Sequence, residues 1–149
     1  MYAENKCLCN DVAVVTGAGS GICRAVALNL ALNGATVACF DINEQGLNET
    51  AKMITDKGGN AFGIKVDVGD SSQVKRAMEQ VYNKTRKISI LVNGAAIISY
   101  TPLEDCTDEE WEKIMHVNIT GYFYCLREAF PYIKESGNGR IVQFSSSNA

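Results

Sequence analysis

Val12-Ala13-Val14-Val15-Thr16-Gly17-Ala18-Gly19-Ser20-Gly21-Ile22-Cys23 is the stretch on which the reading of this chain turns. It opens as a short β-branched run, passes into a glycine-rich turn, and continues with Ile22, Val26 and Leu30 at helical spacing until Asn33-Gly34 stops the helix. Strand, glycine turn and helix in that order make the first half of a βαβ unit. The glycines allow a tight turn and a close approach by a pyrophosphate, and a helix starting near Ser20 offers unpaired N–H groups to an anion. A merely glycine-rich turn is the alternative, since the general Gly-x-Gly-x-x-Gly fingerprint would need glycine where Ile22 stands.

The alternation continues along the chain. Thr36 to Phe40 reads as strand two, followed by a helix from near Asn43 to Gly58-Gly59 with Leu47, Ala51 and Ile54 on one face. Ala61 to about Val66 is strand three, and Val74, Ala77, Met78 and Val81 mark the helix after it. Ile88 to Val92 is strand four. A loop with Pro102 leads to a capping box, Thr107 with Glu110, and then a single long helix to about Ile133 carrying Trp111, Ile114, Met115, Tyr122, Phe123, Leu126 and Phe130. Gly137 and Gly139 turn the chain into strand five, Ile141 to Phe144. The fold class expected is α/β, a Rossmann-type doubly wound parallel sheet of order 3-2-1-4-5. One domain fills residues 1–149, and strand five is left as an uncovered apolar edge.

Composition agrees with a globular domain of 149 residues: 46% hydrophobic, 21% charged, formal charge −3. The mild acidity argues against a nucleic-acid partner. The longest uncharged stretches, 25–40 and 88–103, are broken by Asn and Gly and too short to span a bilayer, and Met1 to Asn10 lacks the apolar run of a secretory signal. A cytoplasmic address is expected. The six cysteines show no Cys-x-x-Cys pair, and the one histidine, His116, is far from Cys7 and Cys9 in sequence, so no metal site is expected. Cys23, Cys39 and Cys125 fall in apolar patterns as small buried hydrophobes.

Ligands of such sheets bind where the strands end. Asp41 closes strand two about 20 residues beyond Gly21, where a carboxylate can accept both hydroxyls of an adenine-linked ribose. A 2′-phosphate would meet a negative charge there, with Ile42 following and no basic group at Ala18, Gly19 or Ser20, so NAD is favoured over NADP. Asp41 also suits a plain turn opener beside Asn43. Asp67-Val68 follows strand three and Asn93-Gly94-Ala95-Ala96 follows strand four. Asn93 is placed to hydrogen-bond across the strand ends or to touch a cofactor.

These motifs together resemble the N-terminal part of the short-chain dehydrogenase/reductase family over essentially the whole chain. Thr16-Gly17-x-x-x-Gly21-Ile22-Cys23 resembles the family's Thr-Gly-x-x-x-Gly-x-Gly, Asp67-Val68 its adenine-contacting pair, and Asn93-Gly94-Ala95-Ala96 its Asn-Asn-Ala-Gly. Trp111 to Gly121 resembles the helix bearing the catalytic-tetrad asparagine, here Asn118, and Gly139 to Ser146 resembles the strand leading to the catalytic serine, here Ser146. The resemblance implies hydride transfer between a secondary alcohol or ketone and a nicotinamide, with Ser146 holding the substrate oxygen and Asn118 holding the helix and a relay water. It implies cofactor contacts at Gly17, Gly19, Ser20, Gly21, Ile22, Asp41, Ile42, Asp67, Val68, Asn93 and Ala95. It also implies a homodimer or homotetramer formed through the long helix.

The chain departs from the family pattern at Cys23, where glycine is expected, and at Gly94 and Ala96. It also lacks a Tyr-x-x-x-Lys after Ser146: among its tyrosines only Tyr2 has lysine four positions on, ahead of the first strand. The chain therefore reads as truncated before that segment, and alone it is expected to bind NAD(H) weakly or not at all and to transfer no hydride. Two other readings stand beside this one. A dinucleotide-binding protein without catalysis needs no Tyr-x-x-x-Lys; a methyltransferase using S-adenosylmethionine would carry an acidic residue where Val15 stands.

Overall fold

The computed structural model describes residues 7–146, so the amino-terminal stretch read against a secretory signal lies largely outside the described residues, as do 147–149. Five strands, β1 (Val12–Thr16), β2 (Thr36–Asp41), β3 (Asn60–Lys65), β4 (Ile90–Asn93) and β5 (Arg140–Gln143), form one parallel sheet in the order β3-β2-β1-β4-β5. Parallel neighbours need a crossover, and helices supply it. These are α1 (Gly21–Leu32), α2 (Glu44–Thr55), α3 (Ser71–Thr85), and α4 (Asp108–Met115) joined to α5 (Gly121–Glu135).

Alternation along the strands divides the core. Val12 and Val14 of β1 pack with Phe40, Leu91 and the buried faces of α3 and α5, while Ala13 and Val15 pack with Val37, Cys39, Val92 and the faces of α1 and α2. A sheet buried on both sides accounts for the unbroken apolar runs of β1 and β4.

The structure revises three expectations. The face that α1 buries against the sheet centres on Cys23, Ala27 and Ala31, with Val26 and Leu30 half-buried at its margin, while Ile22 is 69% exposed. Small side chains let α1 lie close to the sheet, which an Ile-Val-Leu stripe would prevent. The long helix is interrupted by a π-helical turn, His116–Thr120, whose extra residue resets the face presented by α5. The capping box is half formed: Thr107 Oγ1 accepts from the Glu110 N–H at 3.2 Å, but the Glu110 carboxylate turns to the hydroxyls of Ser99 and Thr101. The edge strand matches its expectation, since all four residues of β5 are exposed.

At the far end of the sheet from the glycine turn, Asp11 ties β5 to β1 and β4. Its buried carboxylate accepts from Ser89 Oγ (2.8 Å), Asn138 Nδ2 (3.3 Å) and Arg140 (3.1 Å), with Lys87 Nζ at 3.5 Å. All six cysteines are free, and the described residues contain no cluster of metal-ligating side chains. No described helix is long and apolar enough to cross a membrane.

Candidate functional site

The carboxyl ends of β1, β2 and β4 are stitched together by hydrogen bonds from side chains to backbone. Thr16, the last residue of β1, is buried, and its Oγ1 accepts from the N–H groups of Gly94 (3.0 Å) and Ala95 (3.1 Å). Gly17 follows at φ +72°, and a Cβ there would lie 3.0 Å from the backbone of Ala95. Glycine is thus required twice, by conformation and by contact. Gly21, at φ +55°, has open space around it.

Asp41 stands at the rim beside this turn. Its Oδ2 accepts from the Gly19 N–H and its Oδ1 from the Asn43 N–H, both at 2.9 Å. A Cβ on Gly19 would sit 2.8 Å from Oδ2, so glycine is what lets the turn rest on the carboxylate. Ile22 and Ile42 are both exposed, flanking the same corner. Asp67 closes its own turn, accepting from the Gly69 N–H at 2.9 Å. Val68, by contrast, is buried in the core, and Gly121 leaves room for it: a Cβ there would be 2.9 Å from Val68 Cγ2.

Asn93 is fully buried, and its Nδ2 donates to the carbonyl of Tyr122 at 3.2 Å. Its side chain therefore reaches across to α5 instead of facing the crevice, and its Oδ1 finds no donor among the described residues. Asn118 lies in the π-helical turn, and its amide clasps one backbone residue from both sides, with Nδ2 donating to Ile97 O and Oδ1 accepting from Ile97 N, each at 2.9 Å. Asn118 thus has its partner in the loop after β4. Ser146 is exposed just beyond β5, whose ladder continues through the Phe144 N–H to the Asn93 carbonyl at 3.0 Å.

Cys23 and Gly94, two departures from the family pattern, meet in space. A Cβ on Gly94 would be 2.2 Å from Cys23 Sγ. A side chain at 23 with none at 94 replaces the family's glycine at 23 with a side chain at 94, so the two departures are one steric exchange. Burial, reinforced by the Asp41 charge, pushes the Cys23 thiol up, and burial takes Cys39 and Cys125 to about 12, which leaves all three protonated near neutrality. Burial likewise raises Tyr122, and the Glu135 hydrogen bond raises Tyr82, so neither is tuned for proton exchange at pH 7.

Residues the sequence reading did not single out hold the turn from behind. Thr50 Oγ1 donates to Ala18 O at 2.8 Å, Arg24 Nη2 to the carbonyl of Gly19, and Gly46 brings α2 so close that a Cβ would lie 2.6 Å from Gly19 O. The available signal was the position of Arg24, one turn into the helix after the glycines.

Comparison with known proteins agrees with this geometry. The short chain dehydrogenase family profile matches residues 11–149. A short-chain type dehydrogenase/reductase of Picea abies is 38% identical over 145 residues, covering 91% of this chain and 54% of the relative. A 3-oxoacyl-[acyl-carrier-protein] reductase of Thermotoga maritima is 35% identical over 135 residues, covering 91% and 55%. The crystal structure of a 3-ketoacyl-ACP reductase from Sinorhizobium meliloti 1021 superposes with a TM-score of 0.87 at 38% identity, covering 91% of this chain and 53% of that one. The chain spans about half the length of the curated relatives it matches. With its 3-2-1-4-5 sheet, its glycine turn seated on Asp41 and its match along residues 11–149, the chain belongs to the short-chain dehydrogenase family.

Proposed function

We propose that this chain is the dinucleotide-binding part of an oxidoreductase that moves hydride between a secondary alcohol or ketone and a nicotinamide, with NAD preferred over NADP. The observation carrying the cofactor reading is Asp41, whose carboxylate is held at the end of β2 by the N–H groups of Gly19 and Asn43. Each oxygen keeps lone-pair capacity for a ribose hydroxyl, and the fixed negative charge opposes a 2′-phosphate. The surroundings fit such a group: the turn Gly17 to Gly21 carries only the buried methyl of Ala18 and the short side chain of Ser20, and the α1 N-terminus beyond it has no side-chain cap and no acidic residue in its first turn. Gly17, Gly19, Ser20, Gly21 and Ile22 would hold the diphosphate side, Asp41 and Ile42 the adenine ribose, and Asp67 and Ala95, with the backbone at Val68 and Asn93, the strand ends beside it. When bound, the nicotinamide supplies the hydride acceptor or donor.

The chain's own residues prepare the rest. Asn118 fixes the loop after β4 through Ile97, and Ser146 presents a hydroxyl to a substrate oxygen. The proton-exchanging tyrosine and its lysine would come from chain beyond Ala149, in keeping with the half-length match. Trp111, Met115, Ile119, Phe123 and Phe130 are exposed along α4, the π-helical turn and α5, a face suited to a second copy.

The test is equilibrium titration with NADH and NADPH. NADH binds more tightly in wild type, and Asp41→Ser narrows the difference. Equal affinities in wild type, or a preference for NADPH, would overturn the cofactor assignment.

A further inference from the structure

We propose that Arg24 is a positioning residue for the dinucleotide's diphosphate, aiming the Ser20 amide at it without touching it; this rests on the cofactor reading above. Arg24 is largely buried behind the glycine turn, its side chain 24% exposed. Its Nε donates to Thr50 Oγ1 at 2.9 Å, and its Nη2 reaches the carbonyls of Gly19 and Gly46 (the latter at 3.3 Å) and Glu49 Oε2 at 3.0 Å. A planar guanidinium can serve several acceptors from one fixed orientation, which a lysine ammonium cannot reproduce.

The consequence follows from peptide geometry. Thr50 draws the Ala18 carbonyl, and Arg24 the Gly19 carbonyl, toward α2. In a planar trans peptide the next N–H points the opposite way. The Gly19 N–H does so and meets Asp41 Oδ2 at 2.9 Å. The Ser20 N–H is turned by the same rule to the open side of the turn, where Ser20, Gly21 and Ile22 are exposed at the start of α1. Gly19 has no Cβ to restrict the following peptide, so without the guanidinium that peptide is free to rotate and the donor loses its aim. The guanidinium's charge is balanced by the Glu49 carboxylate at 3.0 Å, so what it contributes to the turn is orientation.

The experiment uses amide-resolved NMR on the 149-residue chain with wild type, Arg24→Met and Arg24→Lys, read by 15N relaxation and by titration with ADP and with adenosine. In Arg24→Met we expect the Ser20 N–H order parameter to fall from about 0.85 to below about 0.6 while the β1 amides are unchanged, and ADP affinity to fall about tenfold with adenosine affinity held, as loss of a charge-assisted hydrogen bond implies. Arg24→Lys keeps the charge but not the fork and falls between the two. An unchanged Ser20 order parameter, unchanged ADP affinity, or an equal loss for adenosine overturns the positioning role alone. Binding by the chain alone is expected to be weak, so the titration is carried to tens of millimolar; if wild type shows no shift with ADP there, the cofactor reading fails and this proposal with it. Should Arg24→Met unfold, Arg24→Lys carries the same comparison.

Discussion

Placing one methyl group on Gly94 tests the steric exchange at the floor of the site. The Cβ of Gly94→Ala would stand 2.2 Å from Cys23 Sγ and 3.0 Å from Phe144 Cδ2. Non-bonded carbon contacts settle near 3.5 to 4.0 Å, so the overlap with sulfur is more than about 1 Å. Phe144 is 37% exposed and can swing aside, but Cys23 is 6% exposed and anchored in α1, so the clash with sulfur sets the cost. Overpacking of this kind destabilises by about 1 to 3 kcal/mol, or a fall in Tm of about 4 to 8 °C for a midrange 2 kcal/mol in a chain of this size. Cys23→Ala removes the sulfur and costs about 1 kcal/mol in lost burial and cavity. In the double variant the new methyl enters the space the sulfur left. The two changes together should then be more stable than their sum by about 1 to 2 kcal/mol, well above the few tenths found for independent sites. Urea denaturation of the four proteins measures this coupling. Additivity within about 0.5 kcal/mol would refute the exchange and leave Gly94 explained by Phe144 alone.

Asp11→Ala should destabilise by about 1 to 3 kcal/mol at pH 7, because Ser89 loses its acceptor while Arg140 and Lys87 can rehydrate. Burial pushes the Asp11 carboxyl up, but hydrogen bonds from Ser89, Arg140 and Asn138 outweigh it and hold it below its ordinary 3.8; the stabilisation is therefore complete above that value and lost as pH falls through the lower folded one, so urea midpoints of wild type and variant should converge below about pH 4. Thr16→Val leaves the Gly94 and Ala95 N–H groups without their shared acceptor and should cost about 2 to 3 kcal/mol by thermal melting, whereas Thr16→Ser keeps the hydroxyl and most of the stability. Asn118→Leu should speed exchange of the Ile97 amide with a global loss of about 1 kcal/mol or less, since the clasp holds a surface loop; unchanged Ile97 exchange would contradict it.

Strand order and the crossover pattern were legible because β-branched runs and helical stripes differ in period, and α3 kept the face its spacing gave: Val74, Ala77, Met78 and Val81 are all buried. The same method misplaced the centre of the α1 face, where Ile22 is exposed and Val26 and Leu30 lie at the margin, because Cys23, Ala27 and Ala31 are less hydrophobic but fit a closely packed sheet better. Periodicity ranks apolar bulk, whereas packing against a parallel sheet selects small residues. The π-helical turn was hidden for a related reason: one added residue in a continuous helix leaves no mark in composition, and its effect is on the direction of Asn118. At the site, the residues that line the crevice could be read from strand ends. Of those that brace it, Thr16 lies within the quoted Thr-Gly motif and Arg24 is marked only by its place one turn into the helix, while Gly46 and Thr50 act on the Gly19 and Ala18 backbone from a helix whose spacing shows only its apolar face.

The braces bear on affinity as well as shape. The loops after β1 and β4 are pinned by side chains from other elements: Ala18 by Thr50, Gly19 by Asp41 and Arg24, Gly94 and Ala95 by Thr16, Ile97 by Asn118. Ordering a loop residue on ligand binding costs on the order of 1 kcal/mol, so loops already fixed in the folded chain leave more of the contact energy to appear as affinity. This explains how a turn so rich in glycine can serve as a binding surface: glycine removes the side chains that would keep a diphosphate away, and distant side chains restore the rigidity that glycine gives up. By the same reasoning, substitutions at Thr50 or Arg24 should weaken binding through a looser free state, while those at Gly21 should weaken it by obstructing the ligand.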